Sequence, residues 1–565
     1  MKHHSIISRL VFLVGAAVLT AGSAFGQTPS IADGDDWTLP EWVEPLPGTG
    51  FFSEELSPDH HVNIRVVDVS WRQVNPAPGV YSTTRTGEAQ GMEFPSLEDQ
   101  LASDDPFWMR IWASGADWVP EWVVTDCGLT ETWPDYDDQE HLPIWYDCLW
   151  NHLMTLWRTV FIDWNLRADR RLVMLYAHGA FTWCEFDFEI IEQAAEGGLS
   201  FDEFDSWFHP AMVEMVDIFN GDNDDPTDDF AHKLVYTGED YPWGPWDGSA
   251  DLLARDAVEA GLGIRTGITE VFNFHLNHIP AYGTTIASDG HMVTDETWPL
   301  LSDGRTIASE NECYNACGYS TSDPYYAVVM SNLKALQMRV NRLYVVPSDS
   351  FMDQYPEHWQ WVRLSLGHNP KTSPDAWVAL REAKDRYWVD DDSHNWIDKP
   401  WVHNLEHFLV QRDIEPDAVS RRGTDVRSGE VDPENGTAYE GRSTDRAAGQ
   451  NALAFFVDDA FLSQPEGSIE LKITYSDTGR AQWMVQYPGT EGVVLTSPVT
   501  NTDSGAIRTA TFILEHSDFD GSLTGNADLR IVTDLDEVEI RFVRLVKMLP
   551  PEPPTARLPR GRRSP

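Results

Sequence analysis

The stretch Arg305-Thr306-Ile307-Ala308-Ser309-Glu310-Asn311-Glu312-Cys313-Tyr314 contains a short β-strand pattern that ends in two glutamates. Apolar and β-branched residues favour a buried strand, and the polar residues that follow mark its end. In a barrel of parallel strands, the carboxyl ends of the strands carry the functional groups. The stretch therefore predicts a strand over residues 305–309 and makes Glu310 and Glu312 candidate catalytic carboxylates.

Similar strand patterns recur between residues 45 and 415, and helical patterns separate several of them. The eight predicted strands are residues 48–52, 62–69, 107–113, 172–177, 232–236, 263–268, 305–309 and 342–346. Apolar residues at helical spacing predict helices over residues 145–164 and 331–340. Alternating strands and helices predict an α/β fold, and eight strands in about 370 residues predict a (β/α)8 TIM barrel with long loops.

One further helix is predicted near the end of this region. Ser373-Pro374-Asp375 offers an N-cap residue, a proline at the first helical position and an acid in the first turn. These residue types are typical of a helix N-terminus. We therefore predict a helix from this point to Trp388.

The pattern changes after residue 420, which we take as the end of a catalytic barrel that begins at residue 27. Residues 421–444 are rich in charged and small residues and predict a linker or a domain edge. Residues 445–549 contain six runs with a period of two and predict an antiparallel β-sandwich that binds glycan or braces the barrel. The basic, proline-rich residues 550–565 predict a disordered tail.

The N-terminus has the pattern of a secretory signal peptide. Lys2 and Arg9 precede an apolar run, and small residues follow it up to residue 26. No later stretch has the roughly 18 uninterrupted apolar residues that a membrane span needs. We therefore expect a secreted protein, extracellular or periplasmic, with residues 1–26 removed.

The chain is strongly acidic, with 91 Asp and Glu against 40 Lys and Arg and a formal charge of -51. Such a surface repels nucleic acid and anionic membranes, so we expect neither as a partner. A halophilic or marine habitat would explain the acidity equally well. We expect the protein to act as a monomer.

The five cysteines suit an exported protein. Cys127 and Cys148 lie in a polar, tryptophan-rich segment and could form a disulfide. Cys313 and Cys317 are four residues apart, but a zinc site would need further ligands at matching spacing, which the sequence lacks. Cys184 lies in an apolar and aromatic stretch and is the candidate for a free, buried thiol.

The 24 tryptophans suggest a carbohydrate ligand, because indole faces stack on the C–H faces of sugar rings. Most tryptophans belong to the core of a protein. Trp243 and Trp246 are flanked by proline and glycine and are therefore better candidates for substrate contacts.

The catalytic hypothesis pairs two glutamates. The fourth predicted strand runs into Glu185, and the seventh ends at Glu310, so the two would face each other across the barrel mouth. In glycoside hydrolysis, one carboxyl protonates the leaving oxygen while a second carboxylate attacks the anomeric carbon or activates a water molecule. In this respect the chain resembles the clan of retaining (β/α)8 glycoside hydrolases that includes β-galactosidases, agarases and cellulase-like enzymes.

The resemblance covers about residues 45–415 and is architectural. It implies a secreted hydrolase that cleaves a polysaccharide, with Glu310 as the nucleophile and Glu185 as the acid and base. Glu312 stays an alternative nucleophile, because it would share the face of Glu310 if the strand continued. No cofactor is implied, and no residues are predicted to ligate a catalytic metal.

Several other residues match the clan's pattern or stand at strand ends. The segment 69–81, which contains Trp71, resembles the clan's segment after strand two, with an aromatic residue before a Pro-x-x-Gly-x-Tyr turn. Arg110, on the third strand, is similar to an arginine that keeps a carboxylate ionised in parts of the clan. The remaining candidates for substrate contacts are Trp112, His178, Glu239, Arg265 and His275.

Cys184 is a departure from the clan, in which an asparagine usually precedes the acid. Either the acid is another residue, with Asp187 and Glu189 as alternatives, or the substrate contact is made differently. A non-catalytic polysaccharide-binding protein or a degenerate barrel is therefore the alternative function.

Two features concern charged ligands. If the substrate carries sulfate or carboxylate groups, we expect Arg72, Arg110, Arg265 or His275 in the cleft. The acidic run 222–225 offers oxygen ligands for a structural calcium ion but lacks the distal glutamate of a calcium loop, so a solvated loop is favoured.

Overall fold

The structure is a computed structural model of the chain. It describes residues 28–54, 59–135, 138–178, 188–221, 229–237, 249–266, 280–311, 324–347, 350–388, 396–423, 439–461 and 468–549. The predicted signal peptide and the C-terminal tail lie outside these ranges. Within the described part of the chain, no helix is long and apolar enough to cross a membrane.

Eight parallel strands form a nearly closed barrel, as in a TIM-barrel fold, and they fall at the eight predicted positions. In chain order the barrel strands are Gly50–Phe52, Arg65–Ser70, Phe107–Trp112, Leu172–Tyr176, Leu234–Tyr236, Gly263–Thr266, Ile307–Asn311 and Arg342–Val345. Neighbours in the chain pair in the sheet, and the eighth strand pairs with the first. Among the described residues, the first and second strands meet at a single bridge between Phe52 and Ile64.

Helices and short helical turns connect many of the barrel strands. The helices are Trp71–Val74, Leu97–Gln100, Glu121–Cys127, Asp147–Trp157, Phe188–Glu196, Phe201–Phe219, Ser249–Ala260, Pro299–Ser302, Pro324–Gln337 and Pro356–Ser365. Arg158–Asp163 continues the fourth helix as a π-helix, so the helix predicted over residues 145–164 is confirmed. Cys127 and Cys148 form the expected disulfide, which joins the third and fourth helices.

Two antiparallel sheets accompany the barrel. The larger contains Ser30–Asp33, Asp375–Trp388, Trp396–His407, Arg421–Arg422, Tyr439–Glu440, Arg442–Ser443, Ile469–Ser476, Ile507–Leu514 and Glu539–Lys547. The smaller contains Leu409–Arg412, Ala452–Val457, Gln482–Gly489, Gly492–Leu495, Val499–Thr500 and Leu529–Thr533. Side chains from both sheets share one hydrophobic core, which is consistent with the predicted sandwich, and the six strands predicted there are present.

The helix predicted from Ser373 to Trp388 is wrong. Residues Asp375–Trp388 form a strand that pairs with Trp396–His407 and with Glu539–Lys547. Ala376, Val378 and Leu380 face the core between the two antiparallel sheets, whereas Trp377 and Ala379 face the core of the barrel region. Burial on both faces with a period of two favours a strand and outweighs the local helix-start residues.

Strand membership also shows which parts of the chain belong to the antiparallel sheets. Residues 30–33, 375–388, 396–407 and 409–412, which we assigned to the barrel segment, form strands of those sheets.

A buried ion pair within the larger antiparallel sheet contacts the barrel region through Trp361 and lies among aromatic rings. Asp375 accepts hydrogen bonds from Trp361 Nε1 at 2.8 Å and from Arg544 Nη2 at 2.8 Å and Nε at 3.1 Å. Both charged side chains are 1% exposed. The Arg544 guanidinium lies 5.3 Å from the Trp361 ring centroid and 5.9 Å from that of Trp37. Removal of either charge would leave the other buried without its partner.

We expect Asp375→Ala to lower the free energy of unfolding by about 3–5 kcal/mol, because the buried Arg544 charge loses its carboxylate. Asp33→Ala is the matched control, since the Asp33 carboxylate that contacts Arg508 is 86% exposed, and should cost no more than about 1 kcal/mol. Denaturant unfolding of both variants measures the difference. Equal losses would contradict the prediction that the buried Arg544 charge depends on Asp375 for its compensation.

Candidate active site

A buried cluster of charges lies at the carboxyl end of the barrel strands and is centred on Arg110. On the third strand Arg110 is in register with Asp68 on the second. Arg110 Nε donates to Asp68 Oδ1 at 2.6 Å, and Nη1 donates to Glu54 Oε2 at 2.7 Å. The side chains of Arg110 and Asp68 are fully buried. Three adjacent strands thus contribute one ion network inside the barrel.

Glu54 extends this network to the other side of the barrel. It follows the first strand by two residues and accepts a hydrogen bond from Tyr176 Oη at 2.9 Å and one from Arg265 Nη2 at 3.3 Å. Tyr176 ends the fourth strand, and Arg265 is on the sixth. The Glu54 side chain is 12% exposed, against 2% for Arg265. Glu54 is therefore the most exposed charged side chain of the cluster.

Aromatic rings surround the two guanidinium groups. The Arg110 guanidinium lies 4.7 Å from the Trp112 ring centroid and 5.2 Å from that of Trp108. The Arg265 guanidinium lies 5.7 Å from the Tyr176 ring and 5.8 Å from the Tyr344 ring. Such contacts stabilise a cation where water is excluded.

Trp112 has a second role, because its Nε1 donates to Asp68 Oδ1 at 3.1 Å. Asp68 is therefore held by both an arginine and an indole. The inner aromatic residues and the ion network together fix each other's positions at this end of the barrel.

The pKa values of the Glu54 and Asp68 carboxyl groups are shifted in opposite directions. Burial acts to raise the pKa of Glu54, but the charges of Arg110 and Arg265 and the Tyr176 hydrogen bond outweigh it, so the pKa lies below its ordinary value. Burial raises the pKa of Asp68, and the charge of Glu54 acts in the same direction against Arg110. Glu54 is therefore an ionised hydrogen-bond acceptor at neutral pH and is unsuited to be a general acid.

An open cleft of about 780 Å³ lies beside this cluster. Phe94 and Trp118 line it and pack against Trp112, with ring centroids 5.9 and 4.8 Å apart. Trp112 thus lies between the cleft and Asp68. The other lining residues are polar or small and include Ser70, Arg72, Gln73, Arg85, Glu88, Gln90, Glu93, Asp117 and Gln139.

The wall of this cleft is the hairpin of strands Gly87–Ala89 and Met92–Phe94. Gln73 fixes both ends of the hairpin, because its Nε2 donates to Arg85 O at 2.6 Å and to Pro95 O at 3.0 Å. A Cβ atom at Gly87 would lie 2.2 Å from Gln73 Oε1, so only glycine allows this close approach.

The structure brings Arg110, Trp112 and Arg265 together, all of which were predicted site residues. Trp71 is elsewhere: it is fully buried in the layer between strands and helices, and its Nε1 donates to Asn75 Oδ1 at 3.4 Å. His178 is 2% exposed and packs edge-on against Trp157. Burial lowers the pKa of His178 to about 3, so it is neutral. Neither position suits a substrate contact.

Glu310 is on the seventh strand, where its backbone pairs with that of Tyr344, and its side chain is outside the described part of the structure. Many other predictions fall entirely outside the described residues. These are Glu185, Asp187, Glu239, Trp243, Trp246, His275, Glu312, the cysteines Cys184, Cys313 and Cys317, and the acidic run 222–225. Glu189 is on the helix Phe188–Glu196, also without a described side chain.

Sequence reasoning missed Glu54, Asp68 and Tyr176. Asp68 had a usable signal, because a lone carboxylate inside the apolar run Arg65–Ser70 must be paired when it is buried. Glu54 comes shortly after a strand, just as Glu310 comes directly after a run of β-branched residues. The strand before Glu54, however, is only three residues long. Tyr176 carried no signal beyond its place at a strand end.

Comparisons with protein-family models and with curated protein sequences found no match to this chain. The nearly closed barrel and the charge cluster are therefore the basis for a functional proposal.

We expect Glu54→Gln to lower the free energy of unfolding by about 2–3 kcal/mol at neutral pH, because Arg110 and Arg265 each lose a charged acceptor. Since the folded-state pKa of Glu54 is depressed below 4.5, its contribution is present above pH 4.5 and is lost as the pH falls through the folded-state value. The stability difference from the wild type should shrink over that acidic range.

Thermal unfolding from pH 7 to pH 3 measures this difference. Glu88→Gln, at an exposed position in the cleft, is the control and should track the wild type. A Glu54→Gln difference that does not change with pH would contradict the assignment of an ionised Glu54.

Proposed function

We propose that the protein is a secreted glycoside hydrolase that cleaves a polysaccharide at the carboxyl end of the barrel. The main support is Glu54, an ionised carboxylate held by two arginines at the end of the barrel where sites of this fold are built. Ionised carboxylates among aromatic rings suit a sugar, which offers hydroxyl donors and apolar C–H faces.

The catalytic pair in this proposal is Glu310 and Glu185. Ala308, two residues before Glu310, is in the inner core of the barrel, and alternation along a strand predicts the same face for position 310. Its backbone partner Tyr344 also belongs to that inner core. The backbone pattern thus predicts that position 310 belongs to the inner face of the barrel, the face of Ala308 and Tyr344.

The proposed reaction has two steps. The Glu310 carboxylate attacks the anomeric carbon while Glu185 protonates the leaving glycosidic oxygen, which gives a glycosyl-enzyme ester and a free sugar end. Glu185 then takes a proton from water, the water oxygen attacks the same carbon, and Glu310 leaves as a carboxylate. Glu54 accepts hydrogen bonds from sugar hydroxyls and orients the ring, because its pKa keeps it ionised throughout.

The adjoining cleft would hold further sugar units of a polymer. Arg72 donates to Val119 O from Nη2 at 3.1 Å and from Nε at 3.3 Å. Neither Arg72 nor Arg85 forms an ion pair within the described residues, and both line the cleft. The acidic Glu88, Glu93 and Asp117 line it as well, so the cleft presents charges of both signs. Such a surface offers donors and acceptors to sugar hydroxyls.

The central test screens the purified protein against algal and plant polysaccharides. Each polysaccharide that the wild type cleaves is then tested with the variants. Glu310→Gln should abolish product release, and Glu185→Gln should lower the rate by about 10²–10⁴-fold, because an acid and base contribute about that factor. Glu312→Gln should stay close to the wild type. NMR of the first product should show the anomeric configuration of the substrate, as in a retaining mechanism.

Glu98→Gln, on the short helix Leu97–Gln100, is the control for a glutamate away from the mouth. Unchanged product release by both Glu310→Gln and Glu185→Gln would overturn the catalytic pair. Saturable polysaccharide binding without product by the wild type would favour the alternative, a non-catalytic binding protein.

A second test concerns the cleft. We expect Arg85→Ala to raise KM for the polysaccharide about tenfold, the equivalent of one charged hydrogen bond, and to leave kcat within about twofold, since bound sugar units remote from the reacting bond contribute uniform binding. Steady-state kinetics on the polymer and on a short oligosaccharide separate the two effects. An equal loss on both substrates would show that the cleft does not bind the polymer.

A further inference from the structure

The connection between the first and second barrel strands carries a cluster of imidazole and carboxylate groups. Asp59, His60 and His61 each place a potential ligand atom within 4.8 Å of the others. Asp353, in the connection that follows the eighth strand, contacts both histidines. We propose that these four residues form a binding site for a transition-metal ion, with Zn²⁺ as the best match.

The spacing of the side-chain atoms fits a shared ion. His61 Nε2 and His60 Nε2 lie 3.0 and 3.9 Å from the same Asp353 oxygen, Oδ1. Asp59 Oδ1 lies 3.7 Å from the other His60 nitrogen, Nδ1, and one ion can bind only one of the two His60 nitrogens. Ligands about 2.0–2.2 Å from zinc in a tetrahedral site lie about 3.3 Å from one another. The exposed side chains of His60 and Asp353 would have to rotate to bring all four ligand atoms to that spacing.

The donor set selects the class of ion. Two imidazole nitrogens with two carboxylate oxygens suit zinc and similar first-row metals, whereas calcium and magnesium prefer oxygen ligands alone. Two carboxylates also supply the charge that balances a divalent cation. The formal charge of -51 on the chain raises the local concentration of cations at its surface.

The local backbone holds Asp59 and His61 together. His61 N donates to Asp59 Oδ1 at 2.8 Å, and Val62 N donates to Asp59 O at 3.2 Å. These bonds form a tight turn that holds the Asp59 carboxylate beside His61. The rings of His60 and His61 lie side by side, with centroids 3.9 Å apart.

The place of the cluster suggests what the ion does. Asp59 to His61 lie just before Ile64, whose bridge to Phe52 joins the first and second strands. Asp353 lies between the eighth strand and the helix Pro356–Ser365. A bound ion would thus connect the segments on either side of the first strand, at the seam where the barrel closes, and its role is structural.

Cys127, Cys148 and His152 form a second group with potential ligand atoms close together. The two cysteines are joined in a disulfide, so they offer no thiolates to a metal. His152 instead contacts Asp126, with Nε2 2.9 Å from Oδ2. This exposed His–Asp pair is a matched control for the proposed site.

The test is calorimetric titration of Zn²⁺ into the chelator-treated, untagged full chain in moderate salt, together with thermal unfolding with and without Zn²⁺. We expect one saturable site with Kd below about 100 μM and a rise in Tm on zinc addition. His60→Ala, His61→Ala and Asp353→Asn should each weaken binding at least about tenfold and reduce the rise in Tm. His152→Ala should bind Zn²⁺ as the wild type does.

Calcium in excess should not displace the zinc, because calcium prefers oxygen ligands and two of the four ligands here are imidazole nitrogens. Absence of a saturable site below that concentration in the wild type would overturn the proposal. Binding that survives in the His60→Ala/His61→Ala double variant would overturn it as well, since the acidic surface alone would then account for the zinc.

Discussion

The burial of Arg110 inside the barrel is the constraint on which the candidate site depends. A guanidinium removed from water costs several kcal/mol unless carboxylates and hydrogen bonds compensate it. Asp68 and Glu54 supply that compensation, and Glu54 is shared with Arg265 and Tyr176. One network therefore joins the first, second, third, fourth and sixth strands at a single level of the barrel. Because each charge is neutralised by a neighbour on another strand, the loss of one member leaves an uncompensated charge on the others.

This network determines what chemistry the barrel mouth can support. Glu54 is ionised and partly exposed, whereas Asp68 and Arg110 are sealed behind Trp112 and Trp108. The same surroundings that keep Glu54 charged exclude it from donating a proton, so an acid must come from another strand end. In the proposed hydrolase that acid is Glu185. In that proposal the ion network would bind and orient the sugar, and Glu185 and Glu310 would carry out the proton transfers and the nucleophilic attack.

The sequence predicted the strands well and one helix badly. All eight barrel strands are short apolar runs whose burial is nearly complete on both faces, so composition alone identified them. The first residues of the strand Asp375–Trp388 match a helix start, but residues 376–380 pack on both faces against distant parts of the chain. The resemblance suggested Arg110 as a site residue, and a place on the sixth strand suggested Arg265. Their partner Glu54 was not predicted from the sequence. Its hydrogen bonds join it to Arg110 and Arg265, which lie 56 and 211 positions further along the chain.

The sequence by itself thus determined the eight barrel strands and six of the antiparallel strands in residues 445–549, because these follow from local patterns of hydrophobicity. It offered the disulfide between Cys127 and Cys148 as a possibility, which the structure confirms. Only the tertiary structure decided which charges meet. It placed Asp68 opposite Arg110, moved Trp71 and His178 into the core, and brought Asp353 to His60 and His61. The physical reason is that ion pairing depends on distances of a few ångströms between residues far apart in the chain, and closure of the barrel sets those distances.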